Sequence, residues 1–130
     1  MQINVEIKNI GQIRKALNDS PEIVKRYIDT AIKRSIFQVQ REAVPLTPVD
    51  TGRLRGSYEI RFETFGAFEP VKAILEPTAF YAIFVEEGTR KMRAQPYLKP
   101  GLENSMPEIN QEFGDSLEEA LREITRKANG

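Results

Sequence analysis

Residues 47–57 read TPVDTGRLRGS, a stretch that parts a helical pattern upstream from an alternating pattern downstream. A plain connector needs only a turn; this one holds a proline, two glycines, two threonines, an aspartate and two arginines. Pro48 pushes Thr47 into an extended conformation. Asp50 or Thr51 is suited to cap a short helical turn that Gly56 closes, and Gly52 allows a backbone conformation or close approach that a side chain would block. Leu54, the large apolar residue after the turn, predicts an anchor to the core. Arg53 and Arg55 carry planar five-donor groups that match carboxylates or phosphates. Two readings stay open: a helix–strand connection with solvated arginines, or a binding segment.

Upstream, Ser20 is a favourable N-cap and Pro21 stands where the first helical residue falls. Ile23, Val24, Tyr27, Ile28, Ala31, Ile32, Ser35, Ile36, Val39 and Ala43 recur at spacings of three and four, with Lys25, Arg26, Asp29, Lys33, Arg34 and Arg41 on the other side. The spacing predicts a helix to about Ala43, where Pro45 and Pro48 forbid continuation, with a basic face read as solvated. Downstream, Tyr58, Ile60 and Phe62 alternate with charged residues, as do Val71, Ala73 and Leu75 with their neighbours, which predicts a β-hairpin across Gly66 and Pro70. Ile3, Val5 and Ile7 predict a further short strand, and Ile10, Ile13 and Leu17 a short helical turn. FYAIFVEEGT (80–89) fits a helical turn or a strand, ended by Gly88. Ile109, Phe113, Leu117, Leu121 and Ile124 predict a C-terminal helix with Pro107 near its start, Asn104 or Ser105 as cap, and an earlier turn at Tyr97, Leu98 and Leu102 bent at Pro107. The expected fold is α+β: one domain over residues 1–130, with a small antiparallel sheet packed against a long helix in the N-terminal half and a C-terminal helix.

Composition narrows the function. The chain has 130 residues, 40% hydrophobic and 29% charged, with formal net charge zero. A dedicated DNA-binding domain is normally clearly basic. There is no histidine and no cysteine, which removes His-based acid–base work, Ser-His triads, thiol nucleophiles and zinc ribbons. No cofactor or metal is expected. MQINVEIKNI lacks the apolar core of a signal peptide, and the longest apolar-rich run, 77–85, is too short to span a membrane. The charge is nevertheless uneven. Residues 88–99 hold four bases and no acid, whereas residues 101–130 hold seven acids and three bases. Such separation fits head-to-tail subunit contacts or plain solubility.

The second informative segment is YAIFVEEGTRKMRAQPYLKPGL (81–102). Glu86 and Glu87 are placed to pair with Arg53 and Arg55, and Arg90, Lys91 and Arg93 form a basic loop running to Pro96.

Taken together and in this order, PLTPVDTGRLRGS (45–57) and YAIFVEEGTRKMRAQPYLKPGLE (81–103) resemble the small tail-component family of long-tailed bacteriophages, the tail-completion, neck or minor tail proteins. The resemblance covers most of the chain from about Ser20. The matching positions are Thr47, Pro48, Asp50, Thr51, Gly52, Leu54 and Ser57, then Tyr81, Ala82, Val85, Glu86, Gly88, Thr89, Pro96, Leu98 and Pro100. It implies a structural virion protein and not an enzyme, made in the host cytoplasm and carried into the tail or neck. It implies a ring-forming homo-oligomer, contacting other neck and tail proteins, that completes the tail or joins it to the head.

On this reading the two segments lie side by side as a docking face. Arg53 or Arg55 meets Glu86 or Glu87 and sets register, and Tyr81, Phe84, Met92, Tyr97 and Leu98 are the apolar anchors. Non-specific contact of Arg90, Lys91 and Arg93 with packaged DNA follows if the loop faces a channel. Two other classes compete: a small nucleic-acid-binding module using basic loops 53–61 and 90–99, and a metal-dependent nuclease using Asp50, Glu76, Glu86 or Glu87.

Overall fold

The computed structural model describes residues 1–5, 18, 20–49, 52–67 and 69–129. The elements in chain order are β1 (Ile3–Val5), α1 (Pro21–Leu46), a 3₁₀ turn (Arg55–Ser57), β2 (Tyr58–Glu63), β3 (Lys72–Pro77), α2 (Ala82–Glu87) and α3 (Leu98–Asn129). The fold is α+β, as the periodicity predicts. The turn predicted at Ile10, Ile13 and Leu17 lies outside the described residues, as does the strand's continuation to Ile7.

The three strands form an antiparallel sheet in the order β1-β3-β2. Ile60 pairs with Leu75 and Phe62 with Ala73, and on the other edge Ile3 pairs with Leu75. This register puts Ile3, Ile60, Ala73 and Leu75 on one face, as the period-2 alternation requires. That face joins Val24, Ile28, Ile32, Ile36 and Val39 of α1 in the core, which Tyr97, Leu98 and Ile109 complete from the α3 side. Asp29 ties the layers together. Its carboxylate accepts the Val71 amide at 2.8 Å, just before β3 begins, and also pairs with Lys25 one turn back on α1.

α1 and α3 run antiparallel in close contact. A Cβ at Gly101 would lie 2.8 Å from the Ala43 Cβ, so the backbones approach as near as glycine permits. One turn on, Ser105 is fully buried; its hydroxyl bonds the Gly101 carbonyl at 2.7 Å and reaches the Gln38 carbonyl at 3.4 Å. Farther along, Arg34 pairs with Glu112 at 3.0 Å and Arg26 with Glu123. The basic face of α1 is therefore not simply solvated, because the acidic C-terminal helix lies along it.

Both helices run through a proline: Pro45 was expected to stop α1, and Pro107 to stand near the start of the C-terminal helix. α1 continues through Pro45 to Leu46, because a missing N–H in the last turn leaves only the Arg41 carbonyl without its helical donor. The end closes when the Thr47 amide bonds the Val44 carbonyl at 3.2 Å and the Thr47 hydroxyl bonds that of Ala43 at 2.7 Å. α3 begins at Leu98 and contains Pro107. Ser105 is thus an interior contact and neither it nor Asn104 is a cap. A proline inside a helix costs about 3 kcal/mol. Burial of Leu98, Gly101 and Ser105 before it, and of Ile109, Ser116 and Ala120 after it, holds both halves on α1. Ser20 precedes α1 without a side-chain capping bond, with Pro21 in the first turn as expected.

Two glycine-to-alanine changes should move stability in opposite directions. Gly101→Ala overpacks the helix contact and should lower it by about 1–3 kcal/mol, less the helix-propensity gain. Gly114→Ala, where nothing lies within 4 Å of the added Cβ, should raise it by up to about 1 kcal/mol. Urea unfolding of the two variants checks the sign.

Candidate functional site

The C-terminus of α1 and the N-terminus of α3 emerge at the same end of the molecule, and both motif segments gather there. Each helix end is closed by a charged side chain from one of them. Arg55 donates to the Thr47 carbonyl at 2.9 Å and to the Pro45 carbonyl at 3.5 Å, placing a cation at the negative end of α1. Glu86 lies at the start of α3. Its Oε1 accepts the Tyr97 and Leu98 amides at 3.0 and 2.8 Å, and its Oε2 the Lys99 amide at 3.4 Å. The expected pairing of Arg55 with Glu86 is therefore replaced: each charge serves a helix terminus, where it meets backbone groups left without a helical partner.

Between these ends runs a chain of hydroxyls. Thr47 gives its proton to the Ala43 carbonyl, so the Tyr58 hydroxyl, 2.7 Å from Thr47 Oγ1, is the donor there. Tyr58 packs edge-on against Tyr97, with ring centroids 6.4 Å apart, and the Tyr97 hydroxyl donates to the Ala82 carbonyl at 2.9 Å. Burial pushes both phenols above the ordinary tyrosine range, Tyr97 far above it, and the nearby Glu86 carboxylate adds to each.

The two segments also share a surface. Pro48 and Leu54 from the first, with Tyr81, Phe84, Val85, Met92 and Gln95 from the second, line an apolar groove of about 290 Å³. Around the segments, Phe80 is 80% exposed, Val49 55% and Phe84 50%. The ambiguous 80–89 stretch is a turn followed by the short helix α2, which presents Ile83 and Phe84 outward.

Gly88 ends α2 with φ 79°, and a Cβ there would stand 2.7 Å from the Ala94 nitrogen. The following loop folds back on itself: the Thr89 amide bonds the Met92 carbonyl, the Thr89 hydroxyl accepts the Lys91 and Met92 amides, and the Gln95 amide bonds the Val85 carbonyl. Arg90, Lys91, Arg93 and Pro96 are exposed on it.

Of the residues singled out from sequence, Leu54 is the buried anchor expected. Gly52 adopts φ 77° with open space around it, so conformation and not proximity calls for glycine there. Gly56 closes a short turn as expected, its amide bonding the Gly52 carbonyl at 3.0 Å, and Arg53 is exposed within that turn. Asp50 and Thr51 fall outside the described residues. Tyr97 and Leu98 cannot be anchors for a partner, because both are buried in the core. Gln38 and Gly101 were missed, while Asp29 and Ser105 were named in other roles, as part of a solvated face and as a cap. Only Gly101, in the run KPGLENS, left a trace: a glycine inside an otherwise helical pattern.

Residues 11–88 match the family model described as "Bacteriophage HK97-gp10, putative tail-component". The chain belongs to this HK97-gp10-like tail-component family. The match takes in the first motif segment entirely and the second as far as Gly88, so the groove straddles its boundary: Pro48 to Val85 lie within it, Met92 and Gln95 beyond. No curated protein and no solved structure matches the chain. As a member of this family the chain is a structural component of the phage tail.

Two outcomes are expected here. Glu86→Ala removes the carboxylate from three amides and should cost at least the ~0.5–2 kcal/mol typical of a lost N-cap, read by denaturant midpoint. Stability should also fall as pH rises above about 10, since unfolded tyrosine ionises there while Tyr58 and Tyr97 hold their protons to higher pH in the fold. The stability that their protonated state contributes is complete below that pH and is lost above it. Tyr97→Phe should flatten this alkaline decline in urea titrations run at a series of pH values.

Proposed function

We propose that the chain acts by docking, as one domain over residues 1–130, in tail completion or head–tail joining. It associates with copies of itself in a ring and contacts other neck and tail proteins. It catalyses no reaction, is made in the host cytoplasm and enters the virion. The observation that carries this reading is the convergence of two segments, distant in sequence, on one apolar groove to which Met92 and Gln95 of the hydrogen-bonded basic loop contribute. Exposed Phe80, Ile83, Phe84, Val49 and Leu46 near a built groove describe a surface suited to being covered. The charged residues that suggested chemistry have structural work. Glu86 holds three amides, Glu76 pairs with Arg61 at 3.0 Å, and Arg55 closes α1. The same commitments weaken the nucleic-acid reading, which loses Arg55 and Arg61 from its first loop and keeps Arg90, Lys91 and Arg93 in its second.

Phe84→Asp tests the proposal in the phage or prophage that encodes the chain. Phe84 is half exposed, so the purified variant should retain its fold by circular dichroism while infectious particles are lost and unjoined heads and tails accumulate. A normal titre would sink the docking reading.

A further inference from the structure

β2 is an outside strand: the sheet order is β1-β3-β2, and among the described residues no strand pairs with its outer edge. The ladder decides which backbone groups point that way. The Thr78 amide bonds the Ser57 carbonyl at 2.9 Å, one step beyond the pairing of Tyr58 with Pro77. Antiparallel partners alternate between exchanging both bonds and exchanging none, so Glu59, Arg61 and Glu63 turn their N–H and C=O groups towards β3. Tyr58, Ile60 and Phe62 turn theirs outward. The side chains divide by the same alternation. Tyr58, Ile60 and Phe62 lie on the α1 side, where Lys33 stands 5.5 Å over the Phe62 ring, and Glu59, Arg61 and Glu63 lie on the other.

The charges on that other face are not all matched within the chain. Glu63 stands opposite Lys72, and Arg61 reaches Glu76 at 3.0 Å. Glu59 stands opposite Glu76, a like charge, and has no ion partner of its own among the described residues. A second copy of β2 supplies one. Antiparallel pairing across the open edge must join outward-turned residues to outward-turned residues, so Tyr58, Ile60 and Phe62 pair only among themselves. Setting Tyr58 against Ile60 opposes Glu59 to Glu59, and setting Ile60 against Phe62 opposes Arg61 to Arg61. Centring on Tyr58 or on Phe62 leaves most of the strand unpaired. Setting Ile60 against Ile60 pairs nearly the whole strand, puts Tyr58 beside Phe62, and brings Glu59 opposite Arg61 on both sides of the axis.

We propose that the free edge of β2 pairs with β2 of a second copy about Ile60, the Glu59 of each strand facing the Arg61 of the other. The two three-stranded sheets then continue into one. Charges on an outside strand ordinarily discourage such pairing; here their order admits one register. The contact is isologous and closes on two copies. None of its residues lines the groove, so it stands apart from the docking reading.

Sedimentation velocity over a dilution series should show the purified chain dimerising, and dimerising equally when it carries Phe84→Asp. Glu59→Arg opposes cations across the axis and Arg61→Glu opposes carboxylates, so each alone should be monomeric. Mixed in equal amounts they should dimerise, because each strand then meets charges opposite to its own. A second readout uses a chain that has no cysteine. In the proposed register Glu59 and Arg61 of facing strands have Cα atoms about 4.5 Å apart, whereas two copies of Glu59 stand about 7–8 Å apart, too far for a disulfide. Glu59→Cys and Arg61→Cys should therefore join under oxidation when mixed, and far less when either is alone. A wild-type chain that stays monomeric throughout, single charge variants that dimerise as the wild type does, or equal disulfide yields mixed and alone would overturn the proposal. If the charge variants fail to recover on mixing because they do not fold, the disulfide yields decide. None of these outcomes bears on the Phe84→Asp titre, which judges the docking reading by itself.

Discussion

The carboxylate of Glu86 stands at the point where α2, the basic loop and α3 meet. By accepting the Tyr97, Leu98 and Lys99 amides it fixes where α3 starts, and so how α3 lies along α1. With that start in place, Gly101 falls opposite Ala43 and Ser105 opposite Gln38, and the helix pair closes to backbone contact. The same anchoring fixes the far end of the 88–97 loop, whose own hydrogen bonds fold it back on itself and which adds Met92 and Gln95 to the groove lining. One side chain thus couples the architecture of the core to the shape of the outer surface. Arg55 does the corresponding work for α1 at lower stringency, its two acceptors being carbonyls at the end of a helix already closed by Thr47.

Charge is arranged by the same logic. A chain of zero formal net charge carries a basic α1 face and an acidic α3, and two pairs, Arg26 with Glu123 and Arg34 with Glu112, join them across the helix contact. Exposed pairs of this kind contribute little to stability, on the order of 0–1 kcal/mol each. Their use is in alignment: with Gly101 and Ser105 they mark a single antiparallel register. Another exposed group of cations lies on the loop, where Arg90, Lys91 and Arg93 stand close together in sequence.

The strands were legible because alternation is a local property. Tyr58, Ile60 and Phe62 were expected on one strand of a hairpin and Ala73 and Leu75 on the other, and these strands do pair, Ile60 with Leu75 and Phe62 with Ala73. The apolar stripe of α1 was legible for the same reason, down to Ser35 being inside, although Ile23 and Tyr27 near its start are only part-buried. The helix ends were not. Pro45 and Pro107 obey a local rule against helix, but packing of the segments on either side outweighs it, and packing is invisible in a linear pattern. At the site, sequence drew attention to the right segments and misassigned the work inside them. A carboxylate and a guanidinium suggest each other as partners, whereas backbone amides and carbonyls, present at every residue, advertise nothing. Tyr97 and Leu98 look like contact residues until the fold buries them.

Closing the first turn of α3 with a side chain eleven to thirteen positions upstream has a consequence for how the molecule opens and closes. The helix cannot reach its native beginning until α2 and the loop after it have formed, and the loop has no fixed end until the helix is there. Surface loops commonly belong to the least protected part of a protein, fluctuating independently of what lies beneath. Here the start of α3 is tied to α2 through three amides, so the order of the outer face and that of the helix beneath it share one side chain.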